Sequence, residues 1–329
     1  MKRLLNVLLF PMFLGIATPS LALDLTPFQV RNFSPTALVH GLSIAETPRL
    51  LPTGKTALQA SFDLANHATL DTSSNEAILL DGETYVATLG LRYGLSDQLQ
   101  VGIDLPWVWH SGGFLDSFIS DWHDFFGLPD GDRDELQDDQ LNYLYYRDGT
   151  ERLRLQDETD SLGDLRLQLA WQFITTEQSA FTLQTQVKAP TGDADKLTGS
   201  EAWDVSLALS AQRDFPLGNG QGALWAGFGV SWLGDGEVLE DEVEDFAASG
   251  WLGAGWNPLD WLALKLQVDS HTALYDSDLG EIGDPAVILT LGGTLGLGEK
   301  TTLDIGVGED LNVNASPDVT FHLHLAHIF

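Results

Sequence analysis

Twelve short segments of this chain alternate apolar and polar residues, and the connections between them are long and short in strict turn. The segments are 55–65, 83–93, 99–109, 163–173, 180–188, 203–211, 222–232, 247–256, 261–269, 286–296, 301–308 and 319–329. Most have the length of roughly nine to eleven residues that a tilted strand needs to cross a bilayer. In 83–93, Tyr85, Ala87, Leu89, Leu91 and Tyr93 share one face, and Thr84, Thr88 and Arg92 the other. In 163–173, Leu165, Leu167, Leu169, Trp171 and Phe173 oppose Arg166, Gln168 and Gln172. A soluble sandwich would alternate in the same way, so the connections carry the decision. Those at 94–98, 174–179, 212–221, 257–260 and 297–300 are short; those at 66–82, 110–162, 189–202, 233–246, 270–285 and 309–318 are long. An even strand count with short turns at one end and long loops at the other implies an outer-membrane barrel with both termini on the periplasmic side. The expected fold is therefore all-β, a transmembrane antiparallel β-barrel of about twelve strands.

Composition agrees with an exported, folded chain. The net charge of −32, from 48 acidic and 16 basic residues, repels a phosphate backbone and excludes nucleic acid as a partner. With 43% hydrophobic residues and 10 Trp, disorder is excluded as well. Cysteine is absent, so neither disulfides nor thiolate zinc sites are available. The long loops hold most of the acids and few bases (Arg133, Arg147, Arg152, Arg154 and Lys196). Aromatics gather near strand ends at Tyr85 and Tyr93, Trp107 and Trp109, Trp171 and Phe173, Trp225 and Trp232, Trp251 and Trp256, and Trp261. Those are the positions of interfacial girdles.

Residues 1–22 have the make-up of a cleaved secretory signal. Lys2 and Arg3 precede an apolar run from Leu4 to Ala17, and Ser20-Leu21-Ala22 offers small residues for cleavage. Residues 23–54 carry Pro27, Pro35 and Pro48 without a sustained period; a periplasmic or lumen-packing segment is expected there, and the barrel at 55–329. The last strand alternates through Phe321, Leu323, Leu325, His327 and Phe329. This is similar to the terminal signature read by the outer-membrane assembly machinery, which is an expected partner together with outer-membrane lipid and lipopolysaccharide.

One stretch breaks the two-residue rhythm. Phe114, Leu115, Phe118, Ile119, Trp122, Phe125 and Phe126 recur at three- and four-residue spacing, while Asp116, Ser117, Ser120, Asp121, His123 and Asp124 occupy the other side. Gly112 and Gly113 precede this run, and Gly127 and Pro129 close it. A short amphipathic helix is predicted in the long loop after the third strand. Its polar face has no Lys or Arg, so it lacks the basic face of a typical membrane-surface helix. The expectation is a lid, with its apolar side on the barrel's own rim or inside its mouth.

Chemistry-bearing residues fall mainly on the inward faces: Arg92, Asp104, Arg166, Lys188, Asp204, Lys265, Asp269 and Asp304. A lipid-facing charge costs about 2–4 kcal/mol at mid-membrane, so these side chains must point into the lumen. There they form either an ion-pair network that fills a narrow barrel or a polar path for a solute, with no clear charge preference. No nucleophile set is found. His110-Ser111 and His271-Thr272 are adjacent on strands and so point to opposite faces. His322 and His324 share a face but lack a third metal ligand. Asp130-Gly-Asp132-Arg-Asp134 starts like a calcium loop, yet Glu135 and Leu141 stand where Gly and Glu are required. A solvated, mutually repelling acidic loop is the expectation here and at 235–245, with weak divalent binding as the alternative, and no cofactor is expected. An enzyme acting on lipid or peptide at the outer rim is the alternative, with His110, His123 and Asp116 or Asp124 as acid/base groups.

The stretches DGETY (81–85), YGLSDQL (93–99), GGFLDSFISDWHDFFGLPDGDR (112–133), GDLRL (163–167) and KAPTGD (188–193) together resemble the domain-of-unknown-function 3187 family of uncharacterised bacterial proteins. That resemblance implies an outer-membrane location and carries over no catalytic residue. The expected function is a non-enzymatic barrel, either a narrow channel or a structural and surface-binding protein.

Overall fold

The computed structural model describes residues 23–126, Arg133, 136–312 and 315–329, with side chains left out at 122–126. The export signal expected at 1–22 lies outside the described residues. Three long strands come first: β1 (Thr56–Thr72), β2 (Glu76–Ser96) and β3 (Leu99–Ser111). The loop that follows contains helix α1 (Asp116–Phe126) and three short strands, β4 (Asn142–Arg147), β5 (Thr150–Leu155) and β6 (Thr159–Leu162). Then come β7 (Leu165–Thr175), β8 (Ser179–Ala189), β9 (Asp204–Leu217), β10 (Gly220–Trp232), β11 (Phe246–Leu259) and β12 (Leu262–His271). A single-turn helix α2 (Gly280–Gly283) leads into β13 (Ala286–Gly296), β14 (Thr301–Asp310) and β15 (Val319–Ile328).

All pairings in the wall are antiparallel, and β1 joins β15 from Ala57↔Ile328 to Asn66↔Val319. That last ladder closes a barrel of 12 strands, β1–β3 and β7–β15. Every segment predicted from the alternation is a strand of this wall. Closure removes both sheet edges, which is the condition for a sheet to stand in lipid.

The two faces separate as the period-two pattern requires. Leu89, Leu105, Leu167, Leu207, Phe228, Leu252, Leu291 and Leu325 are exposed on the outside. Arg92, Gln168, Gln186, Ser206, Lys265 and His322 are buried on the inside. An apolar belt turned outward around the whole circumference is the surface of a barrel whose solvent there is hydrocarbon. Six of the girdle Trp residues face out as expected (Trp107, Trp109, Trp171, Trp232, Trp256 and Trp261), but Trp225 and Trp251 point inward and are buried. The inward register of β10 and β11 makes room for them with glycine. A Cβ on Gly253 would lie 2.2 Å from the Trp225 indole nitrogen, and one on Gly227 2.3 Å from the Trp251 ring.

The first outer connection differs from the expected open loop. β1 and β2 run on for 17 and 21 residues, so 66–82 is mostly a hairpin projecting from the barrel. The reason is a second sheet face. Ile78 and Leu80 of β2 pair across to Tyr145 and Tyr143 of β4, and all four are buried. β5 adds to β4, and β6 extends the end of β3 at Trp107↔Leu162. An apolar core forms above the barrel from these residues with Leu197, Leu233, Leu239, Leu274, Leu279 and Ile282 of the other long loops.

Candidate functional site

The interior is occupied by the chain's own N-terminal segment. Leu23 lies at the short-turn end, where the Asn257 amide donates to its carbonyl at 3.2 Å. The segment rises past Gln212 and Gln267, turns at Ser34–His40 under the apolar core, and descends past Ser231, Gln186 and Gln172 to Arg49, which bonds Asp214. It enters β1 after Gly54, whose N–H bonds the Gly94 carbonyl at 2.8 Å. Residues 23–54 thus form a U inside the barrel, an inner hairpin with both ends at the short-turn side.

What holds this hairpin is unusual for a strand-rich protein. Among the described residues, 23–51 take no backbone–backbone hydrogen bond from the wall apart from their own turn; the inward side chains serve instead. Gln267 accepts the Phe28 N–H at 2.9 Å through Oε1 and donates to the Phe28 carbonyl at 2.9 Å through Nε2. Gln212 donates to the Leu25 carbonyl at 2.9 Å, and Gln172 and Thr182 donate to the Pro48 carbonyl at 2.6 and 2.7 Å. Gln100 accepts the Leu51 N–H at 3.0 Å. The backbone polar groups of an irregular segment are satisfied here by amide side chains of fixed strands. Inward Gln at 100, 168, 172, 184, 186, 212 and 267 was the available signal in the sequence; it registers as ordinary polar alternation unless an internal partner is known.

Charged groups of the wall hold the hairpin at three heights, by an ion pair, a hydrogen bond and a cation–π contact. Arg92 bonds Asp104 at 2.7 and 3.0 Å and reaches Glu46 of the descending limb at 2.9 Å. Gln168 donates to the same two carboxylates at 2.9 and 3.1 Å. Lys188 is fully buried and holds Asp164 at 2.5 Å, Ser200 at 2.6 Å and Asp204 at 3.4 Å. Asp204 in turn accepts the Gly41 N–H at 2.7 Å from the hairpin. Lys265 pairs with Asp304 at 3.0 Å and stands 4.0 Å from the centre of the Phe28 ring, a cation–π contact. Arg166 reaches the Leu38 carbonyl at 3.4 Å, while Asp269 takes hydrogen bonds from Gln267 at 3.0 and 2.9 Å. The eight inward charges read from the sequence are therefore not one network. Of their further partners, Glu46 and the backbone of 28–48 lie off the predicted strands, whereas Asp164 falls on the inward face of the predicted 163–173 strand beside Arg166.

Little space remains. A cavity of about 30 Å³ lies between Arg31, Phe33 and Ile44 of the hairpin and Gln59, Ser61, Asp63, Thr88, Gly90, Asp104 and His324. At roughly 10–15 Å³ per water centre that is room for about two waters, not for a solute. His324, which lines it, lies 3.8 Å from Asp304, and the neighbouring His322 bonds Asp63 at 2.5 Å, so each of the paired histidines faces its own carboxylate. The outer mouth is closed by the apolar core and by side-chain contacts to the hairpin's turn. His40 meets the Tyr275 hydroxyl at 2.8 Å, and Ser34 donates to Glu281 of α2 at 3.1 Å.

Helix α1 forms where the sequence places it, but it does not cover the mouth. Glu83 shares a face with Tyr85, Leu64 and Trp109, the outward side of the wall. Its carboxylate accepts the N–H groups of Phe114 and Leu115 at 2.9 and 2.7 Å, at the start of the helix. Gly113 lies directly on this carboxylate at φ +80°, where a Cβ would lie 2.0 Å from the Glu83 carboxyl carbon. Asp116, expected on the solvent side, is buried: Asn66 donates to it at 3.0 Å, Arg133 at 3.1 Å and the Asp139 N–H at 2.8 Å. Ile119 is buried as expected, while Phe114 and Phe118 are 66% and 50% exposed. Phe118 lies 6.5 Å from Phe321, which is on the outward face with Leu323 and Leu325. The helix is thus fixed against the outside of the wall, through a polar cluster that the facial pattern could not reveal. The side chains of Trp122, His123, Asp124, Phe125 and Phe126, and the residues Asp130, Asp132, Asp134 and Glu135, lie outside the described ones. Mouth closure falls to the β4–β5 hairpin and the other loops.

This placement also separates the acid/base residues considered for an enzyme. His110 points inward, with Thr84 at 3.0 Å and the Leu197 carbonyl at 3.1 Å, whereas Asp116 is on the other side of the wall. The acidic loops bring together no cluster of three or more candidate metal ligands among the described residues.

The sequence matches the family model described as "Protein of unknown function (DUF3187)" over residues 7–329. The chain belongs to this family. No curated protein matches it. Among solved structures it is similar to the COG4313 outer membrane channel from Pseudomonas putida F1, with a TM-score of 0.56 at 15% identity over 85% of this chain and 97% of that one. It also aligns with the NanC porin (TM-score 0.44, 6% identity, 83% and 98% covered) and with the toluene transporter TodX of P. putida (0.36, 9%, 84% and 89%). The first of these likenesses shows the fold, that of outer-membrane β-barrels.

Proposed function

We propose that this protein is a non-enzymatic outer-membrane channel held closed by its inner hairpin. The observation that carries this reading is the way residues 23–51 are attached. A permanent filling would gain most from pairing its backbone with the strands, as a further sheet member does. Here side chains of the wall make the bonds, so the hairpin can leave without opening a single rung of the barrel ladder. The P. putida channel that shares the fold gives the reading its direction. Exit of the hairpin toward the short-turn end leaves a bore lined by Gln100, Gln168, Gln186, Gln212 and Gln267 with charges of both signs, which suits small polar solutes.

The test is ion conductance in planar bilayers. The whole chain is expected to be closed most of the time, and a variant lacking residues 24–50 to conduct steadily. A variant that still shows the heat-dependent gel shift of a folded barrel, yet passes no current, overturns the channel and leaves a sealed structural barrel.

A further inference from the structure

From its position on the wall, we infer that helix α1 is a lipid anchor whose Phe114 and Phe118 insert among the acyl chains of the outer leaflet. Three observations converge on this. Its first turn is bonded to an outward-facing residue, Glu83, so the helix lies beside the barrel and not above it. Phe114, just before the helix, and Phe118 within it are 66% and 50% exposed, whereas Ile119 is 1% exposed. Phe118 meets Phe321, which belongs to the same outward row as Leu323 and Leu325, so the exposed pair continues the barrel's apolar belt. Below it lies an aromatic group on the same face: Tyr85 and Trp109 stack at 4.9 Å, with Phe62 5.8 Å from Trp109. Rings of this kind collect where a barrel meets the headgroups.

The absence of Lys and Arg on the helix does not oppose the assignment. A basic face supplies attraction for a helix that is otherwise free to leave the membrane. This helix is fixed by Glu83 at its start and by Asp116 with Asn66 and Arg133, and covalently continues β3. The polar fastening buries Asp116, while Phe114 and Phe118 remain exposed. The anchor is independent of whether the bore opens.

The chain has no cysteine, so single-site labelling is unambiguous. Nitroxide labels would be placed by Phe114→Cys, Phe118→Cys, Asp121→Cys and, as a mid-wall reference, Leu105→Cys, in full-length protein in phosphatidylcholine vesicles. Power-saturation measurements then compare accessibility to oxygen, which concentrates in lipid, with that to a nickel chelate, which stays in water. Labels at 114 and 118 are expected to resemble the label at 105, with an oxygen-to-nickel ratio several-fold above that at 121. Ratios at both 114 and 118 equal to that at 121 overturn the anchor. So does spin–spin broadening at full labelling, which would make a second copy of the chain the occupant. If either replacement abolishes the heat-dependent gel shift, the other decides alone.

Discussion

Replacing Arg92 by Met tests how the hairpin is latched. Arg92 is 4% exposed and is the cation shared by Asp104 of the wall and Glu46 of the descending limb. Without it the two carboxylates keep one common donor, the Gln168 amide. Both lie about 3 Å from the same nitrogens, so they are roughly 5 Å apart, and at an effective dielectric near 20 their repulsion is about 3 kcal/mol. Loss of one partner from a buried pair costs about 3–5 kcal/mol in general. Arg31 borders the same cavity and offsets part of this, so about 2 kcal/mol is the working figure for the net effect. Asp104 is fixed in β3 and cannot escape it. Glu46 can, by leaving with the hairpin. The strain therefore appears as a shift of the closed–open equilibrium, and about 1.4 kcal/mol per factor of ten makes it more than tenfold.

The assay is single-channel recording at neutral pH, with open probability as the readout. Arg92→Met should open far more often than the parent, and adding Glu46→Gln should return it most of the way, because the second carboxylate charge is then gone. A folded Arg92→Met protein with unchanged open probability refutes the latch. A double variant as active as the single one refutes the electrostatic cause.

Two further predictions concern stability. Lys188 is the sole cation bonded to Asp164 and Asp204 in the described residues, so Lys188→Met should lower unfolding stability by about 3–5 kcal/mol in urea titrations, and the triple change with Asp164→Asn and Asp204→Asn should recover part of it; a single variant with an unshifted midpoint rejects this. Glu281, in the cap, has its carboxyl pushed well above its ordinary value of 4.5 by burial, against hydrogen bonds from Ser34 and Thr69. The folded protein keeps a proton there that the unfolded chain releases, so this group's contribution falls as pH rises from about 4.5 toward the folded value. Glu281→Gln should flatten that decline and raise the urea midpoint more at pH 8 than at pH 5, and parallel pH profiles for the two proteins would exclude the assignment.

The wall was legible because a barrel repeats one simple condition at every strand: polar inside, apolar outside, period two. Leu167, Leu169 and Trp171 against Arg166, Gln168 and Gln172 state it without ambiguity, and the loop lengths supply the topology. The site was less legible because its partners obey no period. Glu46, in a proline-broken segment, is an unremarkable acid until Arg92 is seen 2.9 Å away. Helix α1 shows the same limit from the other side. Its spacing gave the helix, but facial polarity alone assigned Asp116 to water, and the long-range contacts with Asn66 and Arg133 reversed that. Trp225 and Trp251 mislead for a related reason, since inward glycines of the neighbouring strand make space for rings that composition assigns to the girdle.

The same contrast is the physical basis of the proposed gate. The wall's stability comes from ladders that are complete in themselves, including the closing pair β1–β15, and none of them runs through residues 23–51. The hairpin's stability comes from side-chain hydrogen bonds, each worth about 0.5–1.5 kcal/mol net, and from a few buried ion pairs that water can replace once the bore is wet. Moving the hairpin therefore exchanges its wall contacts for hydration and leaves every strand in register. A segment bonded as a thirteenth strand could not move without exposing rows of unpaired amides in the lumen. For the proposed channel, a Gln-lined interior is an arrangement that holds a plug firmly and still lets it go.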